Sequence, residues 1–105
     1  MATIIFQRSG GVLGQEIDLF LVIESLPAAE AHLLFKLIDE SGFFRTPVHI
    51  GARPNPDEFQ YVISLEIGST QHTVRASDST MPESLRPLVD ELILLSTIGE
   101  PQPSR

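Results

Sequence analysis

Glu58-Phe59-Gln60-Tyr61-Val62-Ile63-Ser64-Leu65-Glu66-Ile67 is the stretch that decides the fold. Phe59, Tyr61, Ile63, Leu65 and Ile67 alternate with Glu58, Gln60, Val62, Ser64 and Glu66. A period of two places one set on one face of an extended chain, so this is a strand with one side toward a core. Gly68-Ser69-Thr70 follows as a turn, and Gln71 to Ala76 returns as a second strand with His72, Val74 and Ala76 on one face. Together they predict a hairpin.

A similar unit precedes it. Thr3 to Arg8 reads as a strand with Ile4 and Phe6 on one face and Ile5 on the other. Gln15 to Ile23 reads as its partner, with Ile17, Leu19, Leu21 and Ile23 alternating with Glu16, Asp18, Phe20 and Val22. The join is Arg8-Ser9-Gly10-Gly11-Val12-Leu13-Gly14. Glycine is costly to order and has no side chain to repay the cost. Three in five residues point to a backbone at positive φ, or to close approach by something else, beyond what a plain hairpin needs.

Each hairpin is followed by a helical pattern. Pro27 to about Glu40 carries Leu33, Leu34, Leu37 and Ile38, with Ser25 as candidate cap, Pro27 in the first turn and Gly42 as the stop. Phe43-Phe44 comes next, and core packing at the helix exit is favoured over an exposed patch shared with Phe20. Arg45 to Asp57 is a loop with Pro47, Gly51, Pro54 and Pro56. The last helix runs roughly Glu83 to Ser96, regular from near Ser84, with Pro87 in its first turn and a stripe of Leu85, Leu88, Val89, Leu92 and Leu95. The order ββαββα predicts an α+β domain over residues 1–98, an antiparallel four-stranded sheet with both helices on one face, and a flexible tail over 99–105. Dimerisation through a sheet edge, for instance the first or last strand, stays open, so the expectation is a monomer or weak dimer.

Composition narrows the function. The 105 residues have a formal charge of −7, which argues against nucleic acid and anionic membranes. There is no cysteine, so disulfides and thiolate chemistry are excluded. Neither a signal peptide nor the roughly 18–20 apolar residues of a membrane span is recognisable, which makes the cytoplasm the default location. His32, His49 and His72 have no metal-ligand spacing, so no metal or cofactor is expected. A triad drawn from Ser9, a histidine and Asp18 lacks a nucleophile elbow. The glycine segment is not a phosphate loop, since it joins strand to strand. No acid, base and nucleophile set stands out, and an enzyme is not expected.

The punctuation of the chain resembles the emfourin-like proteins, small inhibitors of protealysin and other thermolysin-like zinc metalloproteases. The resemblance rests on Ile5-Phe6-Gln7-Arg8-Ser9-Gly10-Gly11, then Leu26-Pro27, Ser41-Gly42-Phe43-Phe44 and Pro47, then Asp57-Glu58-Phe59-Gln60-Tyr61, His72-Thr73-Val74, and Pro82-Glu83-Ser84-Leu85-Arg86-Pro87-Leu88. It implies stoichiometric inhibition by occlusion of a zinc-bearing cleft, with a protealysin-type protease as partner. Our own reading then assigns contacts to Arg8, Ser9, Gly10, Gly11, Val12, Leu13 and Gly14, and further to His49 and Arg53 in the long loop. Val12 or Leu13 would enter an apolar pocket, Ser9 would lie near the zinc-bound water, and Arg8 would anchor the loop base. The alternative is a non-enzymatic interaction module with a different partner.

Overall fold

A computed structural model describes residues 2–10, 16–48 and 57–98. Strands β1 (Ala2–Gly10), β2 (Ile17–Val22), β3 (Phe59–Ile67) and β4 (Thr70–Ser77) form one antiparallel sheet in the order β2-β1-β3-β4. Helices α1 (Ala28–Ser41) and α2 (Arg86–Ile98) complete the ββαββα order. The expected fold class is therefore the observed one. One candidate edge is corrected, because the first strand lies inside the sheet. β1 pairs with β2 from Thr3↔Val22 to Arg8↔Ile17 and with β3 from Ala2↔Ile67 to Gly10↔Phe59. The edges are β2 and β4.

Alternation does what a period of two demands. Ile4 and Phe6 of β1, Tyr61, Ile63 and Leu65 of β3, and Val74 and Ala76 of β4 are buried on one face. Phe6 stacks on Tyr61 with ring centroids 6.3 Å apart. Leu34 and Ile38 of α1 join this core, as do Leu85 and the Leu88, Val89, Leu92 and Leu95 stripe of α2. The other sheet face stays exposed along Ile5, Gln7, Asp18 and Phe20. Ser64 and Thr73 share a 2.7 Å hydroxyl bond on that face.

The strand-to-helix junction differs from the expectation in one respect. A 3₁₀ turn at Ile23–Ser25 intervenes after β2, and the Ser25 hydroxyl donates back to the Val22 carbonyl at 2.7 Å. Ser25 is thus spent on the turn and does not cap α1. Pro27 occupies the cap position, and its carbonyl accepts from the Ala31 N–H at 3.0 Å. The exit of α1 follows the sequence closely. Gly42 has φ 66°, the left-handed conformation that lets the chain leave the helix with little strain.

The 3₁₀ turn Phe43–Arg45 then drives Phe43 into the core at 0% exposure. Phe43 meets Phe44 and His72 edge-on, with centroids 5.7 and 5.6 Å away. The His72 Nε2–H donates to the Thr46 carbonyl at 2.6 Å, and the Arg75 N–H donates to the Val48 carbonyl at 2.7 Å. The chain after α1 therefore runs against β4. Phe20 does not join this aromatic group, since it stands on the opposite face of the sheet at 64% exposure.

At α2, a 3₁₀ turn at Glu83–Leu85 precedes the regular helix, and Pro87 sits in its first turn, where a missing N–H is harmless. Glu91 of α2 has its carboxyl pushed up, first by burial and then by the charge of Glu30 on α1. A raised folded value means that ionising Glu91 costs stability above the ordinary carboxylate value and nothing below it. Glu91→Gln should therefore stabilise the fold at pH 7 by about 0.5 kcal/mol once solvent screening is allowed for, and so raise its thermal midpoint. The gain should vanish as the pH falls below the ordinary value of 4.5. Thermal melts of both proteins across this range check it, and an equal gain at pH 3 would refute it.

Candidate functional site

The glycine segment is attached to the end of the sheet where β1 and β3 are still paired. Gly10 lies opposite Phe59, one pair beyond Ser9↔Gln60. Its φ is 96°, and a Cβ built there would lie 2.9 Å from the Glu58 carbonyl oxygen. Both facts require glycine, because side chains rarely adopt that φ and the obstacle is backbone. The first of the three glycines is thus explained by the fold.

The preceding residues take separate directions. Arg8 is half-buried, with its guanidinium carbon 4.0 Å over the Phe59 ring centroid. This is cation–π geometry. Its Nε is buried without a hydrogen-bond partner. Ser9 is exposed. On the open side, a cleft of about 270 Å³ is lined by Gln7, Arg8, Ser9, Glu16, Ile17, Asp18 and Val62.

A polar network behind Gly10 fixes the strand ends, and sequence reasoning missed it. The Asp78 carboxylate accepts from the Phe59 N–H at 3.1 Å and from the Tyr61 hydroxyl at 2.7 Å. The Asp78 N–H donates to the Phe59 carbonyl at 3.2 Å, and Arg86 donates to the Asp78 carbonyl at 2.9 Å. Burial, then the bond to Asp78, pushes the Tyr61 phenol up. Glu58 accepts from the Ser79 N–H at 3.0 Å and its hydroxyl at 2.9 Å. These bonds hold the Glu58 carboxyl below its ordinary range, the Ser79 N–H contributing most. The signal available in sequence was Asp78-Ser79-Thr80, a turn-forming triplet just after a strand.

The long loop and the glycine segment meet the sheet at the same end. Asp57 and Glu58 lead into Phe59, which is the partner of Gly10. Gly11, Val12, Leu13, Gly14, His49 and Arg53 themselves lie outside the described residues, as does the tail 99–105. His32 is exposed on α1, and His72 is committed to Thr46, so the two do not converge. Among the described residues no group of three or more His, Cys, Asp or Glu forms a metal site. No described helix is long and apolar enough to cross a membrane.

The family model described as Emfourin matches residues 6–93, which span everything from the middle of β1 to the body of α2. The chain belongs to the Emfourin family. No curated protein and no solved structure matches it. Emfourin membership is consistent with a protease-inhibitor role and with a chain that is not an enzyme, and it implies a protease as partner.

Two substitutions test the supporting frame. Gly10→Ala should destabilise the fold by about 2 kcal/mol, since it meets both a positive φ and a backbone oxygen. Asp78→Ala should cost about 2–3 kcal/mol by stripping two donors of their acceptor. Urea unfolding followed by circular dichroism reads both. A loss below 0.5 kcal/mol for either, roughly the scatter of ordinary surface changes, would contradict its structural role.

Proposed function

We propose that this chain inhibits a thermolysin-like zinc metalloprotease by inserting the glycine-rich connection between β1 and β2 into the active-site cleft. The observation that carries this reading is the footing of that connection. Gly10 is locked against Glu58, Arg8 is stacked on Phe59, and Asp78 ties β3 to the turn after β4. A loop presented from a rigid base loses less entropy on binding. The chain inhibits stoichiometrically and carries no cofactor; the zinc belongs to the enzyme.

Within the connection, Val12 or Leu13 supplies the apolar side chain for the pocket beyond the scissile bond. Gly11 and Gly14 supply bare backbone that passes where side chains would clash. Ser9, exposed one residue before the end of β1, approaches the zinc-bound water. Arg8 acts as the anchor of the loop base through Phe59. His49 and Arg53 form a second contact zone, reached because the long loop returns to the sheet beside Gly10.

Titration of the purified protein into a thermolysin-like protease, with cleavage of a small peptide as readout, tests the proposal. Saturable, near-stoichiometric loss of activity is expected. Gly10 is unsuitable for locating the wedge, because changing it disturbs the fold itself. Leu13→Asp combined with Gly11→Val should weaken inhibition by at least 30-fold while the urea midpoint stays put. Unchanged inhibition by this pair would remove the loop from the mechanism. No inhibition of the protease encoded in the same genome would turn the reading to an interaction module with another protein.

A further inference from the structure

We propose a second contact for the target protease: the free edge of β2, which takes an extended, basic segment of the enzyme as an added strand. This rests on the inhibitor reading and extends it. The two sheet edges are unequal. β4 has the chain after α1 against it, through Thr46 with His72 and Val48 with Arg75. β2 is paired on one side only, and among the described residues no backbone bond joins its outer side to another element.

Edge strands are usually blunted by lysine, proline or a bulge. Ile17-Asp18-Leu19-Phe20-Leu21-Val22 has neither residue, and its register with β1 is unbroken from Arg8↔Ile17 to Thr3↔Val22. An edge of this kind is a template for strand addition.

Side chains beside the edge say what fits. Phe20 is 64% exposed and lies directly opposite Ile5 of β1, itself 44% exposed, so the two offer one apolar step on the open face. Next to it, Asp18, Gln7 and Val62 form the adjoining row, and this row lines the cleft with Glu16. Glu16 and Asp18 are exposed acids, while the nearby base Arg8 has its guanidinium over Phe59. A lysine or arginine of the incoming strand finds its counter-charge here, and an apolar neighbour two residues along covers Phe20.

The same charges oppose a second copy. Two β2 strands paired antiparallel about Asp18 would set the two Asp18 carboxylates against each other. The edge is also continuous with the glycine connection, which re-enters the sheet at Glu16 and Ile17. One enzyme surface can therefore meet both.

The experiment measures inhibition constants for wild type, Phe20→Ala and Asp18→Lys against a protease that the wild type inhibits, with amide hydrogen exchange of residues 16–22 free and in complex. Both side chains are exposed, so urea midpoints should be unchanged. Phe20→Ala should weaken inhibition about 30-fold, the size of an interface aromatic anchor. Asp18→Lys should slow association and flatten its dependence on salt. Exchange over 16–22 should slow in the complex.

Wild-type inhibition with both variants within twofold of it and no slowing over 16–22 would overturn the edge contact alone. Absence of wild-type inhibition would appear before any variant is made, and would remove both readings. Protection of 16–22 in the free protein, with a concentration-dependent dimer, would assign the edge to a second copy and overturn the proposal.

Discussion

The pairing of β1 on both sides is the constraint on which the rest of this structure depends. Along its length this strand faces β3 without a break, and over most of it β2 as well. Its inward side chains, Ile4 and Phe6, sit at the centre of the sheet and bottom the core beneath the helices. Its outward chain carries Ile5 to the open face. Its end, Gly10, is held by Phe59 while β2 has not yet begun to pair. A central strand is the most constrained place in a small sheet, so the glycine connection leaves the domain from its stiffest part.

Stiffness at that point has a local chemical basis. Asp78 accepts two hydrogen bonds from β3, while its own backbone N–H and carbonyl bond to Phe59 and Arg86. One residue thus joins the start of β3 to the approach to α2. Glu58 does similar work with its two oxygen types: the carboxylate takes Ser79, and the main-chain carbonyl leaves room only for a glycine at position 10. The polar groups are satisfied by the fold itself, so they serve as scaffold and are not a reacting set.

Much of this was legible in the sequence, and the reason is periodicity. Strands such as Phe59–Ile67 announce both their existence and their buried face, because a period of two admits one assignment. Gly42 and Phe43 were legible because a helix stop followed by two aromatics leaves few ways to bury them. What the sequence withheld were relations between distant residues. Strand order is one: nothing local says that β1 lies between β2 and β3. Asp78 is another, since its partners Phe59 and Tyr61 lie 19 and 17 residues away. Ser25 had the residue type of a cap, and the 3₁₀ turn after β2 claimed its hydroxyl first. Of the candidate contact residues, Arg8, Ser9 and Gly10 are brought to one sheet end, and of these only Ser9 is exposed.

The glycine-rich string therefore divides by cause. Gly10 is required by a carbonyl inside the domain, so its presence says nothing about a partner. Gly11 and Gly14 lie outside the described residues, and it is the proposed insertion that gives them a role. The open face divides in the same way. Ser64 and Thr73 satisfy each other's hydroxyls and belong to the sheet. Phe20 and Ile5 leave apolar area in water that the core does not use. Burying that area is favourable for whatever covers it. A domain with both helices on one side of its sheet leaves its other side available, and here Ile5 of β1 and Phe20 of β2 stand opposite each other on that side.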